Sequence, residues 1–136
     1  MLNTRLMIVD DEERFLKTTK GLMEKRKCIV STALSGIEAL EILAKQEMDV
    51  VILDVKMPGM DGVEVLRRIK QTHPLVEVIM LTGHSTTESA VEGMKLGAFD
   101  YLLKPCDINI LFSKVMEAVD KKQTREQQMN QGGKDR

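Results

Sequence analysis

Four short apolar runs without alternation constrain this chain most: Leu6-Met7-Ile8-Val9, Val50-Val51-Ile52-Leu53, Val78-Ile79-Met80-Leu81 and Tyr101-Leu102-Leu103. A strand with one wet face alternates apolar and polar residues. An unbroken run predicts a strand buried on both faces, as in a parallel sheet covered by helices on both sides. A weaker run over residues 28–34 supplies a further strand nearer an edge.

Helix-length segments with apolar residues three and four apart lie between the runs. The first carries Phe15, Leu16, Thr19, Leu22 and Met23; the second Ile37, Leu40 and Leu43; the third Val63, Leu66 and Ile69. The fourth carries Ala90, Val91 and Met94, and the last Ile108, Leu111, Phe112, Val115 and Val119. Ser35 with Glu38, Asp61 with Glu64 and Ser85 with Glu88 have capping-box spacing, in which a short polar side chain and a Glu satisfy free backbone N–H groups. Asp107 is an expected N-cap for the last helix. Strand and helix thus alternate five times. Right-handed crossovers turn that order into an α/β fold, a doubly wound five-stranded parallel sheet with helices on both faces. The common strand order, 2-1-3-4-5, puts the first and third strands at a topological switch point.

Composition narrows the classes. The chain has 136 residues, 43% hydrophobic and 30% charged, enough to bury the core of one domain. A formal net charge of -1 provides no basic field for nucleic acid or anionic lipid. The apolar runs are far too short to span a membrane, and the N-terminal tetrad ends in Asp10-Asp11-Glu12-Glu13, unlike a secretory signal. We read the chain as cytoplasmic. Cys28 and Cys106 lie far apart without metal-ligand spacing and are read as reduced thiols.

In such a sheet ligands bind outside the carboxyl ends of the strands. Asp10 and Asp11 follow the first strand, Asp54 ends the third, Thr82 ends the fourth and Lys104 follows the fifth. Three carboxylates in one crevice raise each other's pKa unless a cation compensates, and Mg²⁺ is the natural one because it prefers oxygen ligands. Metal, ammonium and hydroxyl around one carboxylate oxygen are what phosphoryl transfer requires. Each residue also has a plain structural reading. Asp11 alone reads equally well as a helix N-cap, Thr82 before Gly83 as turn chemistry, and Lys104 before Pro105 as a solvated loop residue. Asp54 resists such a reading, since it follows four buried aliphatics with no helix start after it. The loop Val55-Lys56-Met57-Pro58-Gly59-Met60-Asp61-Gly62 opens the third helix and can turn the Lys56 carbonyl toward a metal.

Asp10-Asp11, Asp54 with Met57-Pro58-Gly59-Met60-Asp61-Gly62, Thr82-Gly83 and Phe99-Asp100-Tyr101-Leu102-Leu103-Lys104-Pro105 together resemble the response-regulator receiver domain of bacterial two-component systems. The resemblance covers about residues 6–119, and the flavodoxin-like order 2-1-3-4-5 is the one known for that family. It implies a receiver domain over residues 1–120, with residues 121–136 a helix extension and disordered tail or linker stump. It also implies a switch in which Asp54 takes a phosphoryl group from a sensor histidine kinase or phosphotransfer protein. Asp11, Asp54 and the Lys56 carbonyl would ligate Mg²⁺, with Asp10 acting through a metal-bound water. Lys104 would pair with the phosphoryl group across a cis bond to Pro105. Thr82 would bond a phosphoryl oxygen, and Tyr101 would change rotamer in response. Implied partners are an output domain or effector on the surface of the fourth helix, fifth strand and fifth helix, and a phosphorylation-dependent homodimer, with no direct nucleic-acid or membrane contact by this domain. Such a domain catalyses only its own phosphorylation and dephosphorylation. Lys56 and His84 stand where receivers vary and bear on dephosphorylation rate. Residues 89–101 are similar to receivers of nitrogen-regulation-type transcriptional activators, which implies transcriptional regulation.

Other classes fit less well. A flavin carrier needs a hydroxyl- and Gly-rich phosphate loop after the first strand, where this chain has Asp10-Asp11-Glu12-Glu13. A haloacid-dehalogenase-type phosphatase needs an acid where Lys56 stands. A calcium loop starting at Asp54 needs Glu where Val65 stands.

Overall fold

The apolar runs do pair as strands. The computed structural model describes residues 3–83 and 86–134. Strands β1 (Arg5–Val9), β2 (Ile29–Ala33), β3 (Val50–Leu53), β4 (Glu77–Thr82) and β5 (Asp100–Leu103) alternate with helices α1 (Glu13–Glu24), α2 (Gly36–Lys45), α3 (Gly62–Thr72), α4 (Thr87–Lys95) and α5 (Ile108–Lys134). All pairs are parallel in the order β2-β1-β3-β4-β5, as expected.

The pleat sends alternate residues to two cores. Met7, Val9, Val51, Leu53, Val78 and Met80 pack with Ala39 and Leu43 of α2 and Val65, Leu66 and Ile69 of α3. On the other face Leu6, Ile8, Val50, Ile52, Ile79 and Leu81 meet Leu16 and Met23 of α1 and Leu111, Val115 and Ala118 of α5. Strands β1, β3 and β4 are therefore buried on both faces. Strand β5 departs from the expectation: its residues are half-buried, and Leu103 is exposed, because β5 is an edge strand paired with β4 alone. Helical periodicity also overstates burial on two helices. Ile37 of α2 is exposed, and on α4 Val91 and Met94 are exposed while Gly93 alone is buried.

The caps hold in part. Ser35 accepts from the Glu38 N–H at 3.2 Å, but the Glu38 carboxylate bonds the N–H of Leu34 rather than that of Ser35. Asp61 accepts from the Glu64 N–H, while the Glu64 carboxylate pairs with Arg67 and Arg68. Ser85 lies outside the described residues; the box that starts α4 is formed by Thr86 and Ser89. Asp107 accepts from the Asn109 N–H at 2.8 Å, as an N-cap should. Helix α4 ends in a Schellman turn: the Ala98 N–H reaches the Gly93 carbonyl, the Gly97 N–H reaches that of Met94, and Gly97 takes φ +103°.

Helix α5 runs on to Lys134, where the loss of apolar period predicts only a brief extension past Lys121. Its first added turn is held by charge. Glu77, fully buried at the start of β4, faces Arg125 at 3.1 Å, Lys70 at 3.2 Å and Lys121 at 3.5 Å. Asp49, just before β3, takes two bonds from the Arg5 guanidinium and one from its N–H, and lies 3.3 Å from Lys122. Burial would push the Asp49 carboxyl up, but these bonds outweigh it and hold it below its ordinary value.

Glu77→Gln keeps the shape and removes the charge that three cations share. We predict a loss of about 2–3 kcal/mol in urea denaturation and faster amide exchange over residues 121–130. Unchanged protection there would show that the ion pairs do not dock the helix. Asp49 gives a pH prediction. A carboxyl whose folded pKa is depressed contributes stability above its unfolded pKa, about 4, and loses it as pH falls through the folded value. The stability gap between wild type and Asp49→Asn is therefore constant at neutral pH and closes on acidification; a gap that widens in acid contradicts the pairing.

Candidate functional site

Strand register assembles the carboxyl end of the sheet. Val9 pairs with Leu53, so the next residues, Asp10 and Asp54, emerge side by side at the switch point. The Asp54 N–H bonds the Val9 carbonyl at 3.0 Å, and the Asp10 N–H bonds that of Ala33 at 3.1 Å. Asp10, Asp11 and Asp54 each bring a carboxylate oxygen within 4.8 Å of the others. Asp10 and Asp54 are buried and Asp11 is exposed, so the cluster opens to solvent on one side. Asp11 does not cap α1; the capping position is Glu12, whose N–H bonds the Asp10 carboxylate at 2.9 Å.

Strands β4 and β5 supply the other wall. Thr82, fully buried, ends β4 opposite Leu103, and its carbonyl accepts from the Lys104 N–H at 2.9 Å. The Lys104–Pro105 bond is cis. The Lys104 ammonium lies 2.5 Å from Asp10, 3.6 Å from Glu12 and 3.9 Å from Asp54. Burial alone would lower its pKa, but these carboxylates outweigh burial and raise it, so Lys104 stays charged. Burial pushes the Asp10 carboxyl up; the bonds from Lys104 and the Glu12 N–H pull it back, and repulsion by Asp54 adds to the rise.

One Asp54 oxygen accepts from the Val55 N–H at 2.8 Å, while the other faces Lys104. The two oxygens are thereby made unequal. Lys56 follows with its side chain exposed, and His84 lies outside the described residues. The loop returns over Asp54 at Gly62, whose N–H bonds the Val55 carbonyl at 2.7 Å. A Cβ at Gly62 would stand 2.1 Å from the Asp54 carbonyl oxygen and 2.7 Å from Val55 Cα, both backbone atoms. Only glycine permits this approach.

Tyr101 of β5 stands farther out, half-buried against α4, its hydroxyl 3.0 Å from the Ser89 hydroxyl. Four contributors were not legible as site residues. Glu12 read as part of an acidic run, Phe15, whose ring faces the Lys104 ammonium, as core, Gly62 as part of the loop that opens α3, and Ser89 as part of the helical stretch 89–101. The side-chain partners of Glu12, Phe15 and Ser89 lie later in the chain, at Lys104 and Tyr101, and the constraint on Gly62 is a backbone approach that composition does not show.

The fold and site define a class: an α/β domain with an acidic switch-point crevice faced by a buried lysine. The family model for the response regulator receiver domain matches residues 6–116, and the chain belongs to that family. The DNA-binding transcriptional regulator NtrC of Escherichia coli (strain K12) is 38% identical over 123 residues, 90% of this chain and 26% of that protein. The transcriptional regulatory protein ZraR of the same strain is 37% identical over 117 residues, 86% of this chain and 26% of that protein. The chain thus spans about a quarter of the length of these curated relatives. Among solved structures, a CheY-like receiver domain protein from Methanospirillum hungatei JF-1 superposes with TM-score 0.88 at 29% identity, covering 91% of this chain and 99% of that one. A receiver domain protein from Clostridium thermocellum gives TM-score 0.85 at 38% identity, covering 89% and 98%. As a receiver domain the chain is a regulatory phosphoacceptor switch. Among the described residues no helix is long and apolar enough to cross a membrane.

Gly62→Ala tests the close approach. We predict that it displaces the loop from Asp54 and destabilises the fold by about 2 kcal/mol or more, read by denaturation and by amide shifts of residues 54–62. Wild-type stability and shifts would mean that the loop has slack.

Proposed function

We propose that Asp54 accepts a phosphoryl group from the phosphohistidine of a sensor kinase or phosphotransfer protein, forming an acyl phosphate. The observation that carries this reading is the convergence of Asp10, Asp11 and Asp54 on one crevice with the Lys104 ammonium beside them. The Asp54 oxygen facing Lys104 bonds to phosphorus as the phosphorus–nitrogen bond breaks, and the imidazole departs with that electron pair. No proton need leave Asp54, because a carboxylate attacks as it stands.

The donor set fits Mg²⁺: three carboxylates, all oxygen, one of them open to solvent. Asp11, Asp54 and the Lys56 carbonyl would hold it, with Asp10 through a water. Bound there, the ion supplies charge neutralisation for the incoming phosphoryl oxygens. Lys104, held close by Asp10, has N–H donors to turn toward a phosphoryl oxygen. Thr82, at the end of β4, would donate its hydroxyl to another. The domain thus catalyses its own phosphorylation and dephosphorylation, and Lys56 and His84 modulate the lifetime.

The output runs through Thr82 and Tyr101. A hydrogen bond to a charged acceptor contributes about 1.5–3 kcal/mol, enough to shift a two-state equilibrium tenfold or more. Drawing Thr82 inward vacates space beside Tyr101, whose bond to Ser89 couples it to α4. The responding surface comprises α4, β5 and α5, including Lys95 and Phe99, where Val91, Met94 and Leu103 are exposed. Its partner is an output domain, an effector or a second copy. By analogy with NtrC and ZraR the output is transcriptional and the setting cytoplasmic, with no nucleic-acid contact by this domain itself. Residues 1–120 form the switch, and residues 121–136 lead toward the output.

The test is labelling by acetyl phosphate with Mg²⁺. Wild type takes up an acid-labile or hydroxylamine-labile label that disappears in Asp54→Asn and when the metal is chelated. Label on a Ser, Thr or His by mass spectrometry, or label undiminished in Asp54→Asn, overturns the assignment.

A further inference from the structure

Lys104 must sit within reach of two different oxygens, and charge alone does not choose its place. Its ammonium has three carboxylates within 3.9 Å, and one of them, Glu12 at 3.6 Å, is exposed and competes for it from the solvated surface. A lysine side chain is a flexible stem with a strongly hydrated head, and it holds one geometry only where its surroundings confine it. An aromatic ring also faces it: the Lys104 Nζ stands over the ring of Phe15, 4.2 Å from its centroid.

We propose that Phe15 is a positioning residue for phosphoryl transfer, its ring face confining the Lys104 ammonium between Asp10 and Asp54. The inference rests on the reading of Asp54 as the acceptor. Three features carry it. The ring is half-buried and packed against the core that α1 and α5 form with the sheet, so the fold sets its position independently of Lys104. The separation lies within the range where a ring face attracts a cation, and the attraction grows as the cation loses water. The ring also takes no N–H from the ammonium in a conventional hydrogen bond, so the donors stay available to oxygens. Another carboxylate in that place would fix the ammonium but occupy a donor and add negative charge beside an incoming phosphoryl group. Phe15 lies three residues after Glu12, one turn along α1, so the same stretch of chain brings a half-buried ring and an exposed carboxylate to the ammonium.

The test compares wild type with Phe15→Leu, which keeps apolar packing without a ring, and Phe15→Tyr, which keeps the ring. Two readouts are needed: proton shifts of the Lys104 ε-methylene by NMR, and the rate of acetyl phosphate labelling with Mg²⁺. In wild type the ε-methylene resonates upfield through the ring current. Phe15→Leu loses that displacement and labels about fivefold more slowly, whereas Phe15→Tyr retains both. An ε-methylene at its ordinary shift in wild type, a Phe15→Leu protein labelled as fast as wild type, or a Phe15→Tyr protein as slow as Phe15→Leu overturns the proposal. The NMR readout needs no phosphoryl transfer, so it decides the placement of Lys104 separately. A wild type that takes no label overturns the Asp54 reading and the catalytic part of this one together.

Discussion

The carboxyl end of the sheet is organised by a charge imbalance that the fold does not resolve by itself. Asp10, Asp11 and Asp54 are brought within 4.8 Å, and Lys104 is the ammonium set against them. Among the described residues one ammonium faces three carboxylates, and burial of Asp10 and Asp54 makes their mutual repulsion more costly. The Val55 and Glu12 N–H groups take up one oxygen each of Asp54 and Asp10. Backbone donors orient these carboxylates without cancelling their repulsion. An acidic crevice of this kind has the oxygen donors and the negative charge that suit a divalent cation.

At the opposite end of the sheet the same problem has a different solution. Asp49 precedes β3 and Glu77 opens β4, and both are answered from within the chain by Arg5, Lys70, Lys121, Lys122 and Arg125. Three of these five cations lie on α5 beyond the point where its apolar period ends. A polar helix end has no hydrophobic reason to stay on the sheet, so buried carboxylates supply an electrostatic one. The two ends differ in function for this reason. At one end cations from α5 and its neighbours outnumber the carboxylates they face, and at the other the carboxylates predominate.

Much of this was legible in the sequence because the relevant patterns are local. Unbroken aliphatic runs announced buried strands, and the residue after each run marked the crevice, so Asp10, Asp54, Thr82 and Lys104 were placed by counting. What could not be read depends on contacts between distant segments. Glu77 stands just before the run Val78-Ile79-Met80-Leu81, and nothing local shows that Lys121 and Arg125 of α5 will face it. Gly62 read as turn composition, although its true constraint is the Asp54 carbonyl beneath it. Phe15 fell on the apolar face of α1, and nothing in that periodicity separates a core ring from a ring that carries an ammonium. The edge position of β5 followed from the strand order, yet the run Tyr101-Leu102-Leu103 taken alone suggested two buried faces.

The helix that periodicity described least well is also the one best suited to move. Helix α4 buries Gly93 and leaves Val91 and Met94 exposed, so little apolar area resists a change in its position. Its sequence is matched to its ends instead, with the Thr86 and Ser89 box at one and the Schellman turn at Gly97 at the other. Those features keep the helix intact as a unit while its packing stays weak. The Ser89 to Tyr101 bond and the Arg67 to Glu92 pair at 3.3 Å tie α4 to β5 and α3 through polar contacts, each modest in water. A helix seated this way has little apolar contact to lose, and the switch proposed above asks no more of it than a response to one hydrogen bond at Thr82. Helix α5, by contrast, is held by Leu111, Val115 and Ala118 in the core and by the buried carboxylates at the far end of the sheet, so the two helices that flank β5 are seated very differently.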